Sequence, residues 1–311
     1  MSQPVLEVDH LRKTYGDFVA VDDLTFRVQS GEIFGLLGPN GAGKTTTIRM
    51  IMDIFIPDAG TVSVLGATPR QARLRVGYLP EERGLYRDLK VKETLVYLAQ
   101  LKGMDKDAAT RSAEAWLDRV GLADWADKRV KDLSRGMQQK AQFASAVVHE
   151  PDLLILDEPF QGLDPVNVEL VKTLMRELQA EGRTIVLSAH QMNLVEEMCD
   201  RILLINRGEG VLYGELAAIK RDYAPNAVRI SGEEDVLTQL TRLEGVVDAE
   251  QNRDVLILRL GQTSPQAILA QIVELGLPIR SFEVESIPLN DIFVNVVSGV
   301  HPDGSEEGAE A

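Results

Sequence analysis

Lys44 and Thr45 close the octet Gly38-Pro39-Asn40-Gly41-Ala42-Gly43-Lys44-Thr45, which satisfies the phosphate-loop pattern G-x-x-x-x-G-K-[ST] at every fixed position. Its three glycines let the backbone wrap close to a phosphate and turn N–H groups inward. Lys44 would reach the β- and γ-phosphates of a nucleotide, and the Thr45 hydroxyl suits Mg²⁺, with Thr46 beside it in the first helical turn. A second segment, Leu153-Leu154-Ile155-Leu156-Asp157-Glu158, is an apolar run ending in two carboxylates. Asp157 would hold Mg²⁺, directly or through water, and Glu158 is suited to polarise an attacking water as general base. A third, Leu133-Ser134-Arg135-Gly136-Met137-Gln138, sets a serine and a glycine at a helix start, where N–H groups and a hydroxyl bind anions. Each segment alone has a plain alternative: a Gly-rich turn, a buried strand ending in an acidic turn, an ordinary N-cap at Ser134. Their occurrence together favours nucleotide chemistry.

These residues need elements to hold them. The apolar run Ile33–Leu37 before the octet and a helix over Lys44–Met52 after it predict strand–loop–helix. Strands are further expected at Val5–Val8, at Ala20–Val28 with a turn at Asp22-Asp23, and at Gly60–Leu65. Residues 83 to about 145 carry helical spacing, notably Val91–Leu101 and Ala108–Val120, with Gly103 and Gly121 as stops. The strand Leu153–Leu156, a helix Val166–Ala180, a strand Thr184–Ser188, a helix Gln191–Cys199 and strands Arg201–Asn206 and Gly210–Tyr213 follow. Alternating strands and helices imply an α/β sheet, part of it parallel. From about residue 224 the order becomes strand 227–231, helix 235–244, strands 246–250 and 254–260, helix 264–276 and strand 279–286. That β-α-β-β-α-β order predicts a small ferredoxin-like α+β module over 223–300, with a last helix at Leu289–Val297. The Gly- and Glu-rich stretch 301–311 predicts a disordered acidic tail.

Composition narrows the partners. A net charge of −15 argues against broad nucleic-acid binding, which favours a basic surface. No run of about 18 apolar residues is present, so no spanning helix is expected. Met1–Glu7 lacks the basic-then-apolar layout of a secretion signal. One cysteine, Cys199, excludes an intramolecular disulfide framework and fits a reducing compartment, and four histidines without metal-ligand spacing predict no zinc site.

Tyr15, the phosphate loop, Leu133–Gln138, Leu153–Glu158, Gln161-Gly162-Leu163-Asp164 and His190 follow one another at spacings that resemble the ATP-binding-cassette (ABC) ATPases over about residues 5–220. The resemblance implies an α/β phosphate-loop nucleotide hydrolase core over 1–222, with a helical subdomain at about 83–145, and ATP with Mg²⁺ as cofactors. It implies that Tyr15 stacks on adenine, a core aromatic being the alternative. Ser134 and Gly136 would contact the γ-phosphate of ATP bound to a second subunit, and Asp164 would lie in the loop linking the two sites. His190 would contact the γ-phosphate and orient the water, a capping or core histidine being the alternative. Catalysis would then rest on Glu158, His190 and Lys44. Three positions depart from the family pattern: Arg135 replaces a glycine, Met137 a glutamine, and Glu81 the glutamine that contacts the metal, with Glu82 as a register alternative.

The run Glu81-Glu82-Arg83-Gly84-Leu85-Tyr86 and the late Leu289-Asn290-Asp291-Ile292-Phe293 resemble bacterial ABC-2 type exporter ATPases, including those linked to sodium or drug extrusion. That implies separate integral-membrane permease subunits docking near Glu81–Lys92, a second identical or related ATPase subunit, no nucleic-acid partner, and a place on the cytoplasmic face of the cell membrane. The competing expectation is a soluble cassette ATPase of translation or DNA repair. Those often carry two cassettes or a long coiled coil, whereas this sequence has one cassette and no sustained heptads.

Overall fold

The computed structural model describes residues 4–82 and 84–298, so the expected acidic tail at 301–311 lies outside the described residues. The chain divides after Leu216 into two compact units.

The first unit opens with strands β1 (Pro4–Tyr15) and β2 (Phe18–Gln29), joined by the tight turn Gly16-Asp17. The turn expected at Asp22-Asp23 does not form. β2 continues through it, and Asp23 takes a φ of 49° where the β1–β2 register shifts. The reason is side-chain phase: a bulge there lets Val21 and Leu24 both face inward, keeping the buried series Leu24, Phe26, Val28 in the core. Next come β3 (Ile33–Leu37), buried at every residue, α1 (Lys44–Ile51), β4 (Ala59–Val64), a short α2 (Pro69–Ala72) and β5 (Val76–Leu79). β5 went unread as a strand because it is four residues long and interrupted by Gly77. A Cβ on Gly77 would stand 2.1 Å from the Ala146 carbonyl oxygen, so only glycine admits that approach.

The region expected to be helical from 83 to 145 contains α3 (Val91–Leu101), α4 (Lys106–Arg119) and α5 (Arg135–Val147). Residues 84–90 are not helical: Val130 N–H bonds Leu89 O, Lys131 N–H bonds Arg87 O, and Lys90 bridges Arg129. Backbone groups satisfied by a distant segment have no use for a helix there. The unit continues with β6 (Leu153–Asp157), α6 (Pro165–Ala180), β7 (Thr184–Ala189), α7 (Met192–Met198), β8 (Arg201–Asn206) and β9 (Glu209–Glu215).

Two sheets result. β2, β1 and β4 form a three-stranded antiparallel sheet. The main sheet runs β5-β6-β7-β3-β8-β9 and is parallel except for the β8–β9 pair. Its buried strands read as continuous apolar runs, as a sheet covered on both faces requires. The carboxyl ends of β5, β6, β7 and β3 share one edge, the edge at which α/β sheets of this kind bind ligands.

Helix α8 (Leu216–Tyr223) spans the division. The second unit has β10 (Ala227–Gly232), α9 (Glu234–Leu240), β11 (Val246–Asn252), β12 (Val255–Leu260), α10 (Pro265–Glu274), β13 (Ile279–Val284) and α11 (Leu289–Ser298). Its sheet is antiparallel in the order β11-β12-β10-β13, the β-α-β-β-α-β arrangement anticipated from the order of elements. Val228, Ile230, Leu256 and Leu258 from the sheet pack with Leu237, Leu240, Ile268 and Ile272 from α9 and α10. Among the described residues no helix is long and apolar enough to cross a membrane.

Candidate active site

The phosphate loop links β3 to α1, and its glycines are fixed by sterics. Gly38 has a φ of 147° and Gly43 one of 111°. A Cβ on them would stand 2.2 Å from Ile205 O and 2.5 Å from Ala20 O. Gly43 also occupies the N-cap position of α1 and brings no side chain to it, which leaves first-turn amides for an anion. Lys44 Nζ donates to Gly38 O at 2.7 Å and to Pro39 O at 3.2 Å, which holds the ammonium inside the curl of the loop. Burial pulls the Lys44 pKa down, against the opposing pull of the nearby Glu158, Asp157 and Glu81 carboxylates.

The end of β6 lies across β7 from the loop. Thr45 Oγ1 donates to Asp157 Oδ2 at 3.4 Å, and Asp157 is almost wholly buried. Desolvation pushes its pKa up, and Glu81 and Glu158 add to the rise. Glu81 lines the cavity that holds Lys44, Thr45, Asp157 and Glu158, whereas Glu82 lines only an adjoining one with Thr45, Glu81 and Asp157, which favours Glu81 in the register between them. A hydroxyl and two carboxylates are hard oxygen donors, and few of them. That fits Mg²⁺, which keeps several waters and takes phosphate oxygens as further ligands. Among the described residues no group of three or more His, Cys, Asp or Glu could hold a metal by itself.

At Glu158 the chain leaves the strand with a φ of 53°, a left-handed conformation costing about 1–3 kcal/mol in a non-glycine residue. Its N–H donates to Ser188 O at 3.0 Å on β7, which holds that turn. The carboxylate is thereby placed with Oε2 2.8 Å from His190 Nδ1, just past the end of β7. The Glu158 side chain is largely buried while His190 is half exposed, so His190 is not a core histidine.

Tyr15 is exposed as well, with its ring edge-on to Phe55 at 6.2 Å and Lys13 Nζ 5.8 Å from its centroid. It lines a cavity of about 390 Å³ together with Phe18, Ala20, Asn40–Thr46, Glu81, Asp157 and Glu158. Asp58 pins the end of this strand, accepting from Lys13 Nζ at 2.8 Å and from Thr14 N–H at 2.7 Å. Those bonds hold its carboxyl down to about 2. Phe18, with 61% of its surface exposed, was missed from sequence; its signal was an aromatic directly across a two-residue turn from Tyr15. Stacking of a base on an aromatic contributes about 1–3 kcal/mol, so Tyr15→Ala is expected to weaken ATP binding roughly 5- to 150-fold. Being half exposed, Tyr15 should leave the melting temperature nearly unchanged. Titration calorimetry with ATP checks this, and unaltered affinity would remove Tyr15 from the site.

Ser134, Gly136 and Asp164 are not brought to this cavity. Ser134 caps α5, its Oγ accepting from Met137 N–H at 3.3 Å, and Asp164 caps α6, accepting from Asn167 N–H at 3.0 Å. The Asn167 bonds hold the Asp164 pKa below the usual carboxylate range. The two caps are neighbours: a methyl on Gly136 would lie 3.7 Å from Gly162 O. Ser134 and Arg135 are exposed, so this surface faces outward from the unit.

Comparison with known proteins agrees with this geometry. The family profile described as ABC transporter matches residues 21–161, and the profile of the ATP-binding protein DrrA1-3-like C-terminal domain matches 214–297. The ABC transporter ATP-binding protein YhaQ of Bacillus subtilis is 44% identical over 299 residues, 96% of this chain and 100% of that protein. The Nod factor export ATP-binding protein I of Paraburkholderia xenovorans is 38% identical, covering 80% of this chain and 88% of that protein. A solved ATP-binding subunit of an ABC transporter superposes with a TM-score of 0.67 at 34% identity, over 70% of this chain and 93% of that one. With a phosphate loop, a carboxylate strand end and a histidine converging on one sheet edge, the chain belongs to the ABC transporter ATP-binding proteins and is an ATPase.

Proposed function

We propose that this chain is the motor subunit of an exporter, working as a pair of such subunits on separate membrane-spanning permeases at the cytoplasmic face of the membrane. Residues 1–222 form the ATP-binding domain in this reading and 223–300 an accessory domain. The observation that carries it is the split of the predicted machinery. Lys44, Thr45, Asp157, Glu158 and Glu81 line one cavity, while the exposed Ser134 and Asp164, with the half-buried Gly136, lie outside it. A second copy would bring those residues over the nucleotide, so the site is complete only in a dimer. The export direction draws on the likeness to the Nod factor export protein. The net charge of −15 supports a permease rather than nucleic acid as partner.

In the closed pair, Lys44 and the loop amides hold the β- and γ-phosphates, and Ser134 and Gly136 of the partner cover the γ-phosphate. Thr45 and Asp157, with Glu81 beside them, would hold Mg²⁺, which when bound would supply positive charge to offset that of the phosphates. Glu158 accepts the proton of the attacking water, and His190, bonded to that carboxylate, orients it and faces the γ-phosphate. Positioning and charge stabilisation supply most of the acceleration.

Affinity purification of the full chain from native membranes tests this reading. A multi-span membrane protein that co-purifies and raises the ATPase rate is the expected result. Recovery of ribosomes or DNA-repair proteins without a membrane protein would replace it with a soluble role.

A further inference from the structure

Two buried glutamines on α5 have no part in the chemistry above. Gln139 is 5% exposed, and its Nε2 donates to Pro159 O at 3.1 Å, with Glu158 O at 3.5 Å. Gln142, at 3% exposed, donates from Nε2 to Pro80 O at 2.9 Å and to Glu82 O at 3.1 Å. The first turn carries Glu158 and the second carries Glu81. Gln138, beside them, donates to Leu133 O at 2.9 Å and so ties the same helix to the segment that delivers Ser134. Only the NH₂ side of an amide can meet a carbonyl oxygen, so these contacts fix the orientation of each side chain.

The two turns are far from α5 in sequence: Gln142 and Pro80 are 62 residues apart, Gln139 and Pro159 20. Each turn leaves the end of a parallel strand, β5 or β6, where loops are more mobile than the strands they follow. A buried amide with N–H groups on main-chain oxygens of such a turn restrains it in direction as well as in distance. One helix thus bears Ser134 at its N-terminus and, within two turns, grips the two turns that hold Glu158 and Glu81.

We propose that Gln139 and Gln142 are positioning residues which lock these two turns to α5. When Ser134 closes on the nucleotide of the partner subunit, the movement of α5 sets Glu158 and Glu81 in its own subunit's site. This rests on the paired-subunit reading above, and it makes the two sites cooperative through side-chain amides.

The test uses the full chain with Gln142→Met and Gln139→Met, which keep side-chain length and apolar volume while deleting the donor. Each variant should lose about tenfold in kcat, since a misplacement near 1 Å costs up to roughly 10²-fold. ATP affinity should stay unchanged, and the Hill coefficient should fall to about 1 from a higher wild-type value. The double variant should lose much less than the product of the singles, because both act on one rigid link. Wild-type kcat and Hill coefficient in both single variants, with only the melting temperature lowered, would overturn the proposal. Wild-type protein with a Hill coefficient of about 1 and no ATP-dependent dimer would overturn the paired reading itself, with both glutamines intact. Should the variants not fold, hydrogen exchange on a Glu158→Gln chain decides. Residues 80–82 and 159–161 gaining protection together on ATP addition supports the link, and protection of one without the other overturns it.

Discussion

Glu158→Gln is expected to bind ATP as well as the parent chain and to hydrolyse it roughly 10²- to 10⁴-fold more slowly, the usual contribution of a general base. The side chains have the same shape, so the turn at Glu158, its N–H bond to Ser188 O and the contact with His190 Nδ1 can persist. The amide cannot take up a proton from water. One negative charge also leaves the neighbourhood of Asp157 and Lys44, where the Glu158 carboxylate now raises both pKa values. Repulsion against an incoming polyphosphate therefore falls, and affinity should hold or rise. With binding intact and turnover blocked, the closed pair should accumulate, so ATP should shift the variant from monomer to dimer in sizing experiments. Steady-state turnover equal to wild type would remove Glu158 from the catalytic role.

Lys44→Met should lower ATP affinity about 10- to 150-fold, the worth of roughly 1.5–3 kcal/mol for hydrogen bonds to a charged group. It should also slow hydrolysis by roughly 10²–10³, as loss of one preorganised charge-stabilising donor does. Two effects act together. The phosphates lose their buried cation, and the carbonyls of Gly38 and Pro39 lose the Nζ that closes the loop on itself. The parent chain carries a pH signature of the same group. Burial lowers the Lys44 pKa from 10.5, so its charge is lost at lower pH than in a free lysine, and ATP affinity should weaken correspondingly early on the alkaline side. A bound polyanion favours the ammonium, so binding in that range takes up a proton. Calorimetry in buffers of different ionisation enthalpy reads this directly, and the proton uptake should vanish in Lys44→Met. A variant binding ATP like wild type would end the assignment.

Features set by neighbouring residues were legible without coordinates. The Gly38–Thr45 octet announced its own loop because glycine at 38 and 43 answers a local demand on φ and on Cβ space. The buried runs Ile33–Leu37 and Leu153–Leu156 announced covered strands, and Ser134 announced a helix start, since capping is satisfied within three residues. The β-α-β-β-α-β order of the second unit followed from periodicity alone.

What local pattern could not decide was adjacency. Apolar strands look alike, and only packing and backbone pairing choose the order β5-β6-β7-β3. That order brings Thr45 to Asp157 across 112 residues, and Glu158 to His190 across 32. Long-range pairing also turned a four-residue stretch at Val76–Leu79 into an edge strand, absorbed Asp22-Asp23 into a bulge against β1, and kept residues 84–90 out of a helix by pairing them with 129–131. The sequence by itself determined which residues could hold a phosphate, because that depends on backbone conformation within a few residues. The tertiary structure alone decided which carboxylates, aromatic rings and amides meet them, because that depends on which strands share hydrogen bonds.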